Sequence, residues 1–143
     1  MTTFLPAVAV VMPVRDEADE LEASVRAVLS QEVPSRLEIC LAVGPSSDGS
    51  EEIARRLADG DERVQVVDNP AGVTSVGLNA AIRATSAPVV VRVDGHAELC
   101  EGYIARAVET LERTGAVNVG GIQEPRGRTP FEVAVGRAMA SRF

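Results

Sequence analysis

The chain has 143 residues, 45% apolar and 24% charged, with a formal net charge of −7 and an isoelectric point near 4.7. That size and balance suit one globular domain and exclude a disordered chain or a coiled coil; the acidity excludes a general nucleic-acid binder, which needs a basic patch to displace counterions. All fourteen basic residues are arginines, so lysine-dependent phosphate loops and Schiff-base chemistry are excluded too.

The first β-like run is "AVAVVM". Its flanks carry no basic leader, and charge follows too soon for a signal peptide or a membrane span, so a cytoplasmic protein is expected. Leu21, Val25, Val28 and Leu29 then fall at i, i+4, i+7 and i+8, the apolar stripe of an amphipathic helix that Pro34 closes. After the second run, "LEICLAV", the stretch "SSDGSEE" offers Ser47, Asp48 and Ser50 as N-caps for a helix marked by Ile53 and Leu57.

The third run is "VQVVD". "NPAGVTSVGLNAAIRAT" follows as a turn and a small-residue helix able to lie close to a sheet. The fourth run, "PVVVRV", stops at Asp94, Gly95 and His96, the only histidine in the chain. Ile104, Val108 and Leu111 mark another helix, and "AVNVGG" reads as a fifth strand. In "TPFEVAVGRAMASRF", Thr129 caps a final helix that opens with Pro130 and carries Phe131, Val135 and Met139 on one face. Because the sequence stops at Phe143 on that apolar face, it is expected to be part of something longer.

Strand-like runs alternating with helical stretches predict a parallel sheet covered by helices on both faces, and consecutive apolar positions predict strands buried on both sides. Cys40 and Cys100 are the only cysteines and there is no CxxC pair, which excludes a structural zinc site or a disulfide framework. In an open parallel sheet, ligands bind beyond the carboxyl ends of the strands, near the reversal of strand order. "PVRDE", "GPSSDGS" and "DGH" all lie at such ends.

Taken in order, "VVMPVRDEADELEASVRAVLSQ", "GPSSDGS" and "GLNAAIRAT" before "VVVRVDGHAEL" resemble the first half of family 2 glycosyltransferases of the GT-A fold, above all bacterial exopolysaccharide enzymes of the succinoglycan type. The resemblance implies an α/β, three-layer Rossmann-like nucleotide-binding domain with a mainly parallel sheet over residues 1–143. It also implies inverting transfer of a sugar from a nucleotide-sugar donor, a UDP-sugar before a GDP-sugar, to a saccharide or lipid-linked acceptor. Membrane association would come through segments beyond this chain.

The same resemblance assigns site residues. Pro13, Val14, Arg15, Asp16 and Glu17 stand where the family contacts the nucleotide, with Asp16 replacing the usual Asn. Asp48 matches the last acid after the second strand, whereas Val43 and Gly44 stand where the family has acids that recognise the base. Asn79 and Arg83 fall in a segment that lines the nucleotide pocket. Asp94, Gly95 and His96 occupy the Asp-x-Asp signature, so Asp94 and His96 become metal ligands whose oxygen and nitrogen donors suit Mn²⁺, with Mg²⁺ second.

Gly95 is expected to let the backbone approach a ligand closely, and Arg92 shares a strand face with Asp94. Glu124 is not taken as the general base, which is expected beyond Phe143. The residues by themselves leave plainer readings open: an acidic helix start at "RDEADE", a cap at "SSDGSEE", a polar turn at "DGH", and a non-catalytic nucleotide-binding module of Rossmann-like fold.

Overall fold

A computed structural model describes residues 6–33, 35–122, 124, 125, 127 and 129–141. Four strands, β1 (Val8–Val14), β2 (Leu37–Val43), β3 (Val64–Asp68) and β4 (Val89–Arg92), form one sheet in the order β3-β2-β1-β4. Every pairing is parallel, with Val10 opposite Ile39 on one side and Val91 on the other. Helices α1 (Leu21–Leu29), α2 (Ser50–Gly60), α3 (Thr74–Ala84), α4 (Tyr103–Thr114) and α5 (Pro130–Ala140) complete the described elements.

Strand alternation sorts the core into two layers. Val8, Val10, Met12 and Val14 of β1 join Ile39, Leu41 and Val43 of β2 on one face, covered by Leu21, Val25 and Val28 of α1, Ala54 of α2, and Ile104 and Val108 of α4. On the other face Val11, Cys40 and Ala42 meet Ala81 and Leu78 of α3. The central strands therefore need apolar residues at successive positions, as expected; the edge strand β4 alternates between half-buried and exposed. Burial, with Glu38 nearby, pushes the Cys40 thiol up to about 11, so it is inert at neutral pH.

Helix α3 lies close to the sheet because of one residue. A Cβ on Gly77 would stand 2.7 Å from Asn69 Nδ2 and 3.2 Å from Ala42 Cβ. The small-residue pattern is thus a packing requirement.

"AVNVGG" is not a strand in the structure, correcting the sequence expectation. Val117 is fully exposed and the segment pairs with none of the four strands. β-propensity registers only where a ladder and a covering layer are available, and this run has neither among the described residues. Helix α1 ends at Leu29 with Ser30 as C-cap, ahead of Pro34. Pro34 and Phe143 lie outside the described residues. Thr129 does form the N-cap of α5, in a reciprocal capping box with Glu132, while Phe131 and Met139 are 78% and 73% exposed.

Replacing Gly77 by Ala should cost stability although alanine is the better helix former. Overpacking costs about 1–3 kcal/mol against a propensity gain of about 1 kcal/mol. Gly60→Ala is the control: nothing stands within 4 Å of its added Cβ, and a gain of roughly 0.5 kcal/mol is expected. Urea denaturation of both variants checks the opposite signs.

Candidate functional site

Strand order runs β1, β2, β3 in one direction and then places β4 on the far side of β1. The reversal opens a crevice at the carboxyl ends of β1 and β4, where ligands of open parallel sheets bind. A cleft of about 290 Å³ lies there, lined by Pro13, Val14, Arg15 and Glu17 after β1, Asn69, Gly72 and Thr74 after β3, and Arg92, Asp94 and His96 at β4. A larger cavity of about 1000 Å³ sits at the opposite, amino ends of the strands and mixes Arg36, Glu38, Arg63 and Arg83 with Thr85 and Ser86. Size favours the second and topology the first. The first holds the convergent functional groups.

The loops around the cleft are tied to one another. Asp16 adopts a left-handed conformation, φ 51°, which aspartate and asparagine tolerate better than other side chains. Its backbone N–H donates to Ser46 Oγ at 3.1 Å, and its Oδ1 accepts from the Ser47 N–H at 2.8 Å. Asp48 Oδ2 accepts from the Ala18 N–H at 2.9 Å, while its Oδ1 accepts from the Ser50 N–H at 3.0 Å and the Ser50 hydroxyl at 2.6 Å. The Glu17 N–H donates to Ser50 Oγ at 2.8 Å. The result is a reciprocal clasp between the β1–α1 and β2–α2 loops.

None of the three expected caps occupies the N-cap of α2. Gly49 does, at φ 92°, and makes no side-chain cap. Asp48 instead reaches over it to Ser50 and across to Ala18. These bonds, with the Ser50 hydroxyl first, hold the Asp48 carboxyl below its ordinary range.

At the other wall, the Ala97 N–H donates to Asp94 O at 2.9 Å, closing a turn over Asp94–Ala97 whose far end is held by the Ser24 hydroxyl of α1, 2.8 Å from Ala97 O. The segment is therefore a turn, and it presents both polar side chains to the cleft. Asp94 accepts from Arg92 Nε and Nη2 at 2.9 and 3.3 Å. His96 Nδ1 lies 3.0 and 3.1 Å from the Glu17 carboxylate oxygens, and this contact raises the histidine's pKa above its ordinary value. Arg15 Nη1 donates to Gly72 O at 3.2 Å, bracing the wall after β3.

Pro13, Arg15, Glu17, Asp94 and His96 are thus gathered around one cleft. Asp48 supports it from behind without lining it. Asn79, exposed on α3, does not line it, and Arg83 borders the cavity at the amino ends. Glu124 is exposed and is not a lining residue. Gly95 differs from expectation in what it accommodates: a Cβ there would stand 3.2 Å from Glu17 Cγ, so the space it leaves is filled by that side chain. The sequence reading missed Asn69, Gly72 and Thr74. Their signal was available, since "DNPAG" is also a polar segment at the carboxyl end of a strand.

Among the described residues, no group of three or more His, Cys, Asp or Glu side chains could hold a metal ion by itself. Two of the lining side chains, Asp94 and His96, keep donor atoms of the kinds that divalent cations take. Each carboxylate oxygen keeps lone pairs beyond those used by Arg92, and His96 Nε2 has no hydrogen-bond partner among the described residues.

Loss of the Asp48 clasp should be pH dependent. A carboxyl whose folded pKa is depressed contributes stability above its ordinary value of 3.8 and loses it as pH falls through the lowered one. Asp48→Asn, which cannot accept from both loops, should be less stable than wild type at neutral pH, and the gap should close in acid. Urea midpoints measured across the acid range test the sign.

The profile of the family described as Glycosyl transferase family 2 matches residues 9–139. Succinoglycan biosynthesis protein ExoA of Rhizobium meliloti (strain 1021) is 33% identical over 136 residues, 94% of this chain and 41% of that protein. Glycosyltransferase AglE of Haloferax volcanii is 31% identical over 137 residues, 92% of this chain and 45% of that protein. The chain therefore spans less than half the length of these relatives. Among solved structures, the mannosyltransferase PcManGT from Pyrobaculum calidifontis in complex with GDP-Man and Mn²⁺ superposes with a TM-score of 0.69 at 27% identity, over 76% of this chain and 33% of that one. S. aureus TarS 1–349 in complex with UDP gives 0.65 at 13% identity over 83% and 39%, a likeness of fold alone. With its α/β parallel sheet, its switch-point cleft and a profile match over nearly its whole length, the chain belongs to glycosyl transferase family 2.

Proposed function

We propose that this chain is the donor-binding part of a glycosyltransferase that moves a sugar, with inversion, from a nucleotide-sugar to a saccharide or lipid-linked acceptor in polysaccharide biosynthesis. The observation that carries the reading is the convergence of Arg15, Arg92, Asp94 and His96 on one cleft at the switch point of a family 2 domain. A relative named for succinoglycan biosynthesis and a mannosyltransferase solved in complex with GDP-Man support the substrate class.

The chain's own residues do four things in this reading. Pro13 and Val14 end β1 and present the loop that receives the nucleotide. Arg15 and Arg92 place guanidinium donors beside the diphosphate, whose oxygens match their planar fork. Asp94 and His96 would hold a divalent cation, Mn²⁺ by donor type; such an ion, when bound, neutralises the charge that builds on the leaving diphosphate. Asp16, Asp48 and Ser50 keep the two loops in place, so that binding does not have to order them.

Calorimetry of GDP and UDP with and without Mn²⁺ tests the reading. Nucleotide affinity should rise with Mn²⁺, and Mn²⁺ affinity should rise with nucleotide by the same factor, since linkage is reciprocal. His96→Ala should weaken that coupling, and Asp94→Asn, which keeps the shape but removes the charge, should do so at least as strongly. Nucleotide binding that ignores both the metal and both substitutions in a folded chain would refute it.

A further inference from the structure

Glu17 has a more specific part to play than its place in the nucleotide-contacting segment suggests. Its side chain is only 17% exposed, and its carboxylate receives His96 Nδ1 at 3.0 and 3.1 Å across a sequence separation of 79 residues. The backbone that carries this side chain is fixed from behind. The Glu17 N–H donates to the buried Ser50 hydroxyl, and the Glu17 carbonyl accepts the Leu21 N–H at 2.9 Å at the start of α1. Gly95 leaves the room this needs, since a Cβ there would press on Glu17 Cγ at 3.2 Å.

A neutral imidazole whose Nδ1–H donates a hydrogen bond to a carboxylate keeps its lone pair on Nε2, and that pair is the one available to a cation. The ring is also held against rotation. Carboxylate-to-histidine-to-metal arrangements work this way, fixing tautomer and orientation at once. We infer that Glu17 is a positioning residue that locks His96 in its Nδ1–H tautomer and so reserves Nε2 for the divalent cation of the donor complex. The inference rests on the reading of Asp94 and His96 given under Proposed function. It gives Glu17 no direct contact with the ion.

Because His96 is the only histidine, a long-range proton–nitrogen NMR spectrum of the ring, recorded where the imidazole is neutral, reports this residue alone. The wild-type chain without metal should show the Nδ1–H tautomer, Glu17→Ala should shift it to the Nε2–H form, and Glu17→Gln, whose amide oxygen still accepts, should retain it. With GDP or UDP bound, Mn²⁺ affinity should fall about tenfold in Glu17→Ala and much less in Glu17→Gln. An Nε2–H tautomer in wild type, or a Glu17→Ala chain that binds Mn²⁺ as wild type does while His96→Ala does not, overturns the inference and leaves the cation reading standing. Mn²⁺ affinity lost in Glu17→Ala with the tautomer unchanged also overturns it, since Glu17 then acts on the ion by another route. A wild-type chain whose nucleotide affinity is indifferent to Mn²⁺ removes the reading beneath it and the inference with it.

Discussion

Strand β1 is hydrogen-bonded along both edges and buried on both faces, and the site depends on that position. Its partners are β2 on one side and β4 on the other, so chain segments far apart in sequence leave the sheet side by side. Two faces of apolar packing hold the strand end still, and the polar loops beyond it inherit that rigidity. The cleft lies where the crossover reverses, at the end of the most constrained element in the molecule.

The loops then do the work that a strand end cannot. Asp16 bends the chain through a left-handed residue, and its carboxylate catches the backbone of the β2–α2 loop, whose own Asp48 and Ser50 catch Ala18 and Glu17 in return. Each bond crosses between loops, so neither loop is shaped alone. The same carboxyl-bearing segment supplies Glu17 to His96, which joins the clasp to the turn after β4. A substitution at Asp48 would therefore reach the far wall of the cleft through Ser50 and Glu17.

Charge is distributed in keeping with this. This chain is acidic overall, which would repel the diphosphate of the proposed donor at long range, and the cleft sets Arg15 and Arg92 against that field locally. Arg92 is paired with Asp94 while more than half exposed, so the pair adds little to stability. In the proposed reading it keeps a guanidinium and a carboxylate together at the point where an anion and a metal would meet.

Much of this was legible in the sequence because local rules and the tertiary fold agree there. Consecutive apolar residues in β1 and β2, the stripe of α1, the glycine and alanines of α3 and the cap at Thr129 each follow from periodicity or propensity, and each appears in the structure. The ordered motifs also identified the family and marked Pro13, Arg15, Glu17, Asp94 and His96. What the sequence could not decide was which polar residues meet. "AVNVGG" has the residues of a strand but no neighbour to pair with, Arg83 follows Asn79 by one helical turn yet faces the other end of the sheet, and "DNPAG" looks like an ordinary turn until β3 brings it to the cleft. The pairing of Glu17 with His96 belongs to the same class. Periodicity is a property of neighbours along the chain, whereas a contact across 79 residues depends on strand order, and only the folded sheet fixes that order.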